Sequence, residues 1–321
     1  MSTVLPTADR HAATARRVID VGTSLAWYRH GRSDPTTRLD TIGRGPARAG
    51  RFVRATLTPD GPGTLSIRWG PLRDGERTID LETTGPGGEW LALRAPAMLG
   101  VDDPGCPELE HAAHPVIAAA ARNHPFLRLG ASGMLYHELL PTILEQRITS
   151  REATQQWARL CRELGDPAPG DHPGLLLPPA PEVLARRPSW WFHPLGIERK
   201  RANPLIELAR HPLKLWEWAQ RPVGEARAKL LLLPGIGQWT LGVALGPALG
   251  DPDALAVGDY HLKNIIAFAL TGAPRGTDDE MVALLEPYRG QRGRVARLIG
   301  LDGHRAPKFG PKRRILPMHR W

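Results

Sequence analysis

The sequence predicts a mainly α-helical protein, in which a small α+β domain precedes a larger helical domain. Strand-like runs of apolar residues are confined to the first third of the chain. From Pro104 onward the chain is typical of helices separated by short stretches rich in proline and glycine. We therefore expect a small α+β domain over residues 1–108. An all-α domain should follow over residues 109–321, with residues 301–321 as a basic tail.

The N-terminal domain is predicted from three strand-like runs: residues 52–57, 64–69 and 89–94. The first two flank a Pro-Asp-Gly-Pro sequence at 59–62, whose residue types favour a turn. The third alternates in polarity and follows the glycine-rich residues 85–88. Residues 1–50 are polar and irregular, with one helix-like stretch at residues 9–19.

The helical domain is predicted from a series of apolar segments: residues 115–123, 134–148, 151–164, 181–186, 200–209, 213–219, 224–232, 240–249, 260–270, 278–285 and 292–299. Two of them begin with a threonine and a glutamate at capping-box spacing, at Thr149 and Thr277. Residues 166–181 form a proline-rich connection. Glu138 and Glu145 lie seven residues apart on one helix face, where we expect them to be solvated.

Composition excludes several classes of protein. The only two cysteines, Cys106 and Cys161, cannot build a disulfide framework, a four-cysteine zinc site or a four-cysteine iron–sulfur cluster. No apolar run approaches the roughly 20 residues of a membrane-spanning helix. The N-terminus lacks the apolar segment of a signal peptide. We therefore expect a cytoplasmic protein with no metal and no membrane partner.

The positive charge is concentrated at the C-terminus. Residues 287–321 carry ten basic side chains and one acid, Asp302, so this segment accounts for the net charge of +9 of the whole chain. Arginine suits phosphate contacts because its planar guanidinium donates in a fixed fork. We expect Arg289–Arg297 to join a DNA-binding face, and Arg305–Arg320 to add non-specific phosphate contacts.

The most informative segment is the Pro-Gly-Ile-Gly sequence at 234–237. An apolar helix is expected to end at Leu233, and a second helix to begin near Gln238. The two glycines allow left-handed dihedrals and close approach of another backbone. Free N–H groups in such a turn, with a helix N-terminus behind them, form an anion site to which the hydroxyl of Thr240 could add a donor. An ordinary turn between two helices is the alternative.

The full Leu-Pro-Gly-Ile-Gly-x-x-Thr string resembles the helix-hairpin-helix motif, which binds DNA phosphates without reading sequence. The resemblance implies a set of hairpin residues that bind DNA: Gly235, Ile236, Gly237, Gln238 and Thr240. A helix and a loop then lead to Asp259, at the start of a further helix. By itself an aspartate at that position is most simply an N-cap.

The hairpin followed by Asp259 resembles the helix-hairpin-helix DNA glycosylase superfamily, in which the catalytic aspartate lies at this point. Trp239 and Tyr260 match most closely the alkylpurine, AlkA-like branch of DNA-3-methyladenine glycosylase II enzymes. Residues 143–150 and 195–202 and the Pro-Tyr-Arg sequence at 287–289 also resemble family segments, so the likeness covers roughly residues 115–300.

The resemblance implies further roles. Arg147 stands where the family inserts a wedge into the duplex, with a surface arginine as the alternative. Lys263 would contact a phosphate, or be a surface lysine. The predicted base pocket has six members: Gln146, Trp239, Tyr260, Tyr288, Trp190 and Trp191. For the adjacent tryptophans at 190 and 191, packing is the alternative. Val243 replaces a tyrosine of close relatives, which leaves the range of lesions open.

The implied activity is that of a monofunctional glycosylase in base excision repair. Such an enzyme flips an alkylated purine out of the duplex and hydrolyses its N-glycosidic bond, leaving an abasic site. Asp259 would stabilise the developing sugar cation and orient water. Bifunctional members carry a lysine nucleophile where this chain has Trp239, so no lyase step is expected. The expected partner is double-stranded DNA containing damaged bases, bound by a monomer associated with the nucleoid, with no cofactor. A same-fold glycosylase for deaminated, oxidised or bulky alkyl bases, and a non-catalytic DNA-binding protein, are the alternatives.

Overall fold

The computed structural model describes residues 19–43, 45, 48–73 and 76–307, together with the backbone of residues 9–14. Part of the predicted helix-like stretch at 9–19 and most of the predicted basic tail therefore lie outside the described residues. Within the described part, no helix combines the length and the apolar character needed to cross a bilayer.

The N-terminal domain is built on a five-stranded antiparallel sheet with the strand order β1-β5-β4-β3-β2. Its strands are β1 (Asp9–Thr14), β2 (Thr37–Ile42), β3 (Ala49–Thr58), β4 (Gly61–Trp69) and β5 (Thr78–Thr84). Helices α1 (Val21–Ala26) and α2 (Gly88–Leu99) pack on it. Phe52, Leu65 and Ile67 are fully buried between the sheet and these helices. The predicted strands at 52–57 and 64–69 are thereby confirmed.

Two N-terminal predictions are wrong. Residues 89–94 lie within α2, where Leu91, Ala95 and Met98 are buried at helical spacing. A six-residue window that alternates can belong to either structure, and here the longer helical period decides. Residues 9–14 form strand β1 because they pair with β5 along the edge of the sheet. A pairing partner about 70 residues away cannot be read from local pattern.

The rest of the described chain is helical, as predicted. Its α-helices are α3 (Pro115–Asn123), α4 (Leu135–Glu145), α5 (Ser150–Leu164), α6 (Pro181–Ala185), α7 (Arg199–Ala209), α8 (Pro212–Ala219), α9 (Val223–Leu230), α10 (Gln238–Leu249), α11 (Leu262–Thr271), α12 (Asp278–Leu285) and α13 (Arg292–Leu301). Three 3-10 helices lie at Pro107–His111, Ser189–Leu195 and Glu286–Tyr288. Thr277 closes a full capping box with Glu280, and Thr149 accepts from the Glu152 N–H. The predicted fold class, mainly α with a small α+β N-terminal domain, is confirmed.

Two apolar cores meet in the helical domain. One is formed mainly by α4 to α10 and includes the hairpin residues Leu233 and Ile236. The other is formed by α3 and α11 to α13, and it includes Leu255. Helix α10 approaches this second unit so closely that a Cβ on Gly242 would lie 2.2 Å from the carbonyl oxygen of Leu255. The hairpin and Asp259 thus lie where the two cores are in contact.

A buried charged cluster joins the sheet to α4. Glu138 is fully buried and its carboxylate lies 2.7 Å from the Arg54 guanidinium and 3.6 Å from the His30 ring. The expectation that Glu138 is solvated is therefore wrong, because the N-terminal domain covers that face of the helix. Burial lowers the pKa of His30, but the carboxylates of Glu138 and Glu145 outweigh burial and raise this pKa to about 9.

Candidate nucleic-acid interface and active site

The hairpin between α9 and α10 leaves the N-terminus of α10 uncapped. Gly237 is the N-cap residue and has no side chain to satisfy the first-turn N–H groups. These groups, together with the helix dipole, form a site suited to a phosphate. Gly235 has φ of +83°, and a Cβ there would lie 2.2 Å from Cγ of Pro204. A Cβ on Gly237 would meet nothing within 4 Å, so this second glycine faces open space.

Two of the hairpin side chains, Ile236 and Thr240, are buried although the hairpin backbone is exposed at Gly235 and Gly237. Ile236 is buried in the apolar core and Gln238 is exposed. Thr240 is only 2% exposed, and its hydroxyl accepts a hydrogen bond from Gln146 Nε2 at 3.0 Å. The Gln146 amide also donates to the carbonyl oxygen of Gly235 at 2.9 Å. Gln146 therefore ties the end of α4 to the hairpin, a contact that sequence reasoning missed. Its place in a base pocket, and the phosphate contact of Thr240, stay predictions.

Arg147, the residue after Gln146, adopts a left-handed backbone conformation. Its φ is +61°, and it is the only non-glycine residue with positive φ in the part of the chain that the structure describes. Such a conformation costs an L-residue about 1–2 kcal/mol, and strained backbone of this kind tends to be retained at functional sites. The buried guanidinium of Arg201 donates to the carbonyl oxygen of Leu144 at 3.1 Å and so stabilises the C-terminal end of α4. The exposed Arg147 is thus presented from a fixed turn.

The carboxylate of Asp259 is held by three hydrogen bonds. Oδ1 accepts from the backbone N–H groups of His261 and Leu262, both at 2.8 Å, which is a capping arrangement at the start of α11. Oδ2 accepts from the indole Nε1–H of Trp239 at 3.1 Å. The residue remains partly exposed. The N-cap residue of α11 is His261, so Asp259 lies two residues before the cap position that the simplest interpretation gave it, and its Oδ2 is oriented by the first turn of α10.

A second carboxylate supports the loop that carries Asp259. Asp278 Oδ1 accepts from the backbone N–H of Gly258 at 2.8 Å, and its Oδ2 lies 3.0 Å from Lys263 Nζ. Burial raises the pKa of Asp278, but the hydrogen bond from Gly258 and the Lys263 ammonium outweigh it and lower this pKa. The partly exposed Lys263 ammonium therefore supports the loop through its ion pair with Asp278. Its predicted phosphate contact stays a prediction.

The predicted pocket aromatics are spread over the helical domain. The structure brings Trp239 and Tyr260 to Asp259, and Tyr260 is 75% exposed with its ring edge-to-face against His261. Tyr288 packs on the core around α11 to α13. Trp190 is 74% exposed, whereas Trp191 packs on Phe192 and beneath the Arg187 guanidinium. The packing alternative fits Trp191, and the pocket roles of Tyr288, Trp190 and Trp191 stay predictions.

The C-terminal arginines are engaged within the protein. Arg294 is buried and pairs with both carboxylate oxygens of Asp103. Arg297 lies 3.9 Å above the ring of Trp27, and burial lowers its pKa to about 10. The expectation that the whole Arg289–Arg297 segment joins a DNA face is wrong for these two side chains, because they fasten α13 to the N-terminal domain. Lys308 and the basic residues beyond it lie outside the described residues.

A cavity of about 200 Å³ lies between α3 and α13, with Cys106, His124 and Arg128 in its lining. It contains none of the predicted site residues. Among the residues that the structure describes, no group of three or more His, Cys, Asp or Glu side chains is arranged to hold a metal ion. The candidate site is therefore the half-buried junction of the hairpin, Trp239 and Asp259, away from this cavity.

Comparisons with known proteins point to one fold. No family model matches the chain. A probable bifunctional transcriptional activator/DNA repair enzyme AlkA from Mycobacterium tuberculosis is 29% identical over 126 residues, 38% of this chain, and the match spans about a quarter of the length of that relative. A 3-methyladenine DNA glycosylase from Archaeoglobus fulgidus superposes with a TM-score of 0.70 at 17% identity, covering 91% of this chain and 98% of that one.

A Clostridium acetobutylicum 8-oxoguanine glycosylase/lyase superposes with a TM-score of 0.63 at 12% identity, covering 92% of this chain and 98% of that one. The chain therefore shares the fold of these two DNA glycosylases, and over 126 residues its sequence is similar to that of the AlkA relative. The predicted resemblance and the predicted helix-hairpin-helix glycosylase architecture are confirmed at this level.

Proposed function

We propose that this chain is a DNA glycosylase of base excision repair that releases alkylated purines of the 3-methyladenine and 7-methylguanine type. The observation that carries the proposal is the position of Asp259. Its carboxylate is oriented by Trp239 of α10, and the same helix turn exposes the unsatisfied N–H groups of the hairpin. A phosphate bound at that turn would bring the sugar–phosphate backbone of a flipped nucleotide close to this carboxylate.

The chemistry follows from the charge of the substrate. Alkylation at N3 or N7 gives a cationic purine, which is a good leaving group and needs no general acid. Trp239 is hydrogen-bonded to Asp259, Tyr260 directly follows it in the chain, and a cation over an aromatic ring gains roughly 0.5–2 kcal/mol. As the N-glycosidic bond lengthens, positive charge develops on the sugar. Asp259 would stabilise that charge by its field and orient the attacking water.

The damaged nucleotide must be flipped out of the duplex before its N-glycosidic bond can be hydrolysed. Arg147 is presented from a strained turn that Gln146 ties to the hairpin. An arginine inserted there would occupy the gap left by the flipped nucleotide, by stacking and hydrogen bonding, and so offset part of the unstacking cost of a few kcal/mol. This geometry supports base flipping, because Gln146 holds Arg147 in a fixed position relative to the hairpin.

We further propose that the enzyme is monofunctional. A lyase step needs an amine that attacks the sugar, and the family position for that lysine is occupied by Trp239. The nearby Lys263 ammonium is 3.0 Å from the Asp278 carboxylate and serves the loop instead. The product would therefore be an abasic site in an intact strand.

The experiment is a lesion panel on defined duplexes. Each duplex carries one of 3-methyladenine, 7-methylguanine, hypoxanthine or 8-oxoguanine, and both base release and strand scission are scored. We expect release of the two cationic bases without strand scission. Release of neutral bases alone would instead favour a same-fold glycosylase for deaminated or oxidised bases. Tight binding of all duplexes without any release would favour a non-catalytic DNA-binding protein.

A further inference from the structure

We propose that Trp239 is a positioning residue for the reaction, acting through its indole N–H on the carboxylate of Asp259 and not only through its aromatic face. This inference rests on the proposed function, since it assigns a part to Trp239 in the same hydrolysis. The observation behind it is the 3.1 Å hydrogen bond from Trp239 Nε1 to Asp259 Oδ2.

The hydrogen-bond inventory of Asp259 shows what this contact does. An ionised carboxylate offers about four lone-pair directions over its two oxygens. Two backbone N–H groups, from His261 and Leu262, occupy Oδ1. The indole occupies one direction on Oδ2, and the Asp259 carboxylate accepts no further hydrogen bond from the residues that the structure describes. One lone pair of Oδ2 therefore remains for water or for the developing sugar cation.

The third donor matters because the torsion of an aspartate carboxylate is soft. Rotation about χ2 is broad, with no sharp staggered wells. Donors on Oδ1 alone would leave Oδ2 free to swing by tens of degrees at little energetic cost. The indole N–H fixes Oδ2 from a separate element, α10, so that the open lone pair keeps one direction. Fixed orientation of the charged group is what electrostatic stabilisation of a transition state requires.

The indole itself is held in place. Trp239 is half-buried on the first turn of α10, between Gln238 and the buried Thr240. Its Cβ lies 3.9 Å from where a Cβ on Gly258 would stand, so the loop before Asp259 passes directly over it. The Gly258 N–H is in turn bound by Asp278. The ring thus presents its N–H edge to the carboxylate of Asp259.

The variant Trp239→Phe separates the two roles, because phenylalanine keeps an aromatic face and removes the N–H. Trp216→Phe is the matched control, since it removes an indole that packs against Trp90 in a different part of the molecule. The measurements are the single-turnover rate of 7-methylguanine release and the dissociation constant for the same duplex. We expect Trp239→Phe to lower the rate about tenfold, the usual effect of losing one hydrogen bond to a charged group. Its dissociation constant should stay within about twofold, and Trp216→Phe should change neither quantity.

A spectroscopic readout tests the contact directly. The ¹⁵N indole resonance of Trp239, identified by its disappearance in Trp239→Phe, should shift in Asp259→Asn while the other indole resonances stay in place. A wild-type rate in Trp239→Phe, or a loss confined to the dissociation constant, would overturn the positioning role. Failure of the wild-type protein to release any base would instead sink the proposed function, and the indole shift would then still report whether the contact exists.

Discussion

We expect alanine to have different effects at the two hairpin glycines, Gly235 and Gly237, because their surroundings differ. At Gly235 an alanine must adopt a φ of +83°, which costs about 1–2 kcal/mol. Its methyl group would also meet Cγ of Pro204 at 2.2 Å, an overpacking that costs typically about 1–3 kcal/mol. We therefore expect Gly235→Ala to lower the free energy of unfolding by about 2–5 kcal/mol.

At Gly237, in contrast, an alanine fits the backbone conformation and its surroundings without strain. The backbone has φ of −116° and ψ of −179°, which any residue adopts, and the added methyl group meets no protein atom within 4 Å. The free energy of unfolding should change by less than about 0.5 kcal/mol. The methyl group would stand at the open face of the first-turn N–H groups, where a phosphate must approach closely. We expect Gly237→Ala to weaken binding to a duplex by about five- to tenfold.

The assays are urea denaturation and fluorescence anisotropy with a labelled duplex at fixed salt. Gly224→Ala is the control, because that glycine also has open space around it but lies at the start of α9, away from the hairpin turn. It should bind DNA as the wild type does. If Gly237→Ala binds DNA with unchanged affinity while remaining folded, the hairpin is not the phosphate site. If Gly235→Ala is as stable as the wild type, the steric argument is wrong.

Three further predictions concern Arg147, His30 and the C-terminal tail. Arg147→Gly should leave the free energy of unfolding unchanged or raise it by up to about 1 kcal/mol, because glycine adopts the left-handed conformation without strain. The same variant should slow base excision several-fold. Clear destabilisation together with full excision would refute this prediction. His30 has a folded pKa of about 9, raised above its unfolded value near 6.5, so its stabilising effect is complete below pH 6.5 and is lost towards pH 9. The wild type should lose up to about 3 kcal/mol of unfolding free energy over that window and His30→Gln should not, as followed by urea titration at each pH; parallel curves would contradict it. Truncation after Gly303 removes Arg305 and five more basic residues, so the salt dependence of DNA binding should become shallower; unchanged affinity and slope would show that the tail does not contact DNA.

The hairpin and Asp259 could be predicted from the sequence because their geometry is local. Pro234, the two glycines and the start of α10 lie within a few residues of one another, and their conformations follow from residue type. Asp259 accepts from the backbone N–H groups of His261 and Leu262, two and three residues later, at the start of α11. The bounds of the helices from α3 to α13 could likewise be predicted to within a few residues, because short stretches rich in proline and glycine separate these helices along the chain.

The features that sequence reasoning missed depend on partners far along the chain. Glu138 looks like a solvated glutamate until Arg54, 84 residues earlier, is placed against it. The amide of Gln146 binds the hairpin about 90 residues later, a contact that its predicted place in a base pocket did not include. Arg294 contributes to a basic segment in sequence but is neutralised by Asp103 in space. Charge counted along a sequence therefore overstated the phosphate-binding surface, since pairing across the fold decides which cations face solvent.

If the Asp259 carboxylate carries the proposed hydrolysis, its replacement should slow base release without preventing DNA binding. Single-turnover release of 7-methylguanine is measured for the wild type, Asp259→Asn and Asp279→Asn, an exposed carboxylate in the first turn of α12. Duplex affinity and unfolding are measured on the same samples. We predict that Asp259→Asn lowers the rate by about 100-fold or more while binding the duplex, and that Asp279→Asn retains the wild-type rate. Full base release by a folded, DNA-binding Asp259→Asn would contradict the account.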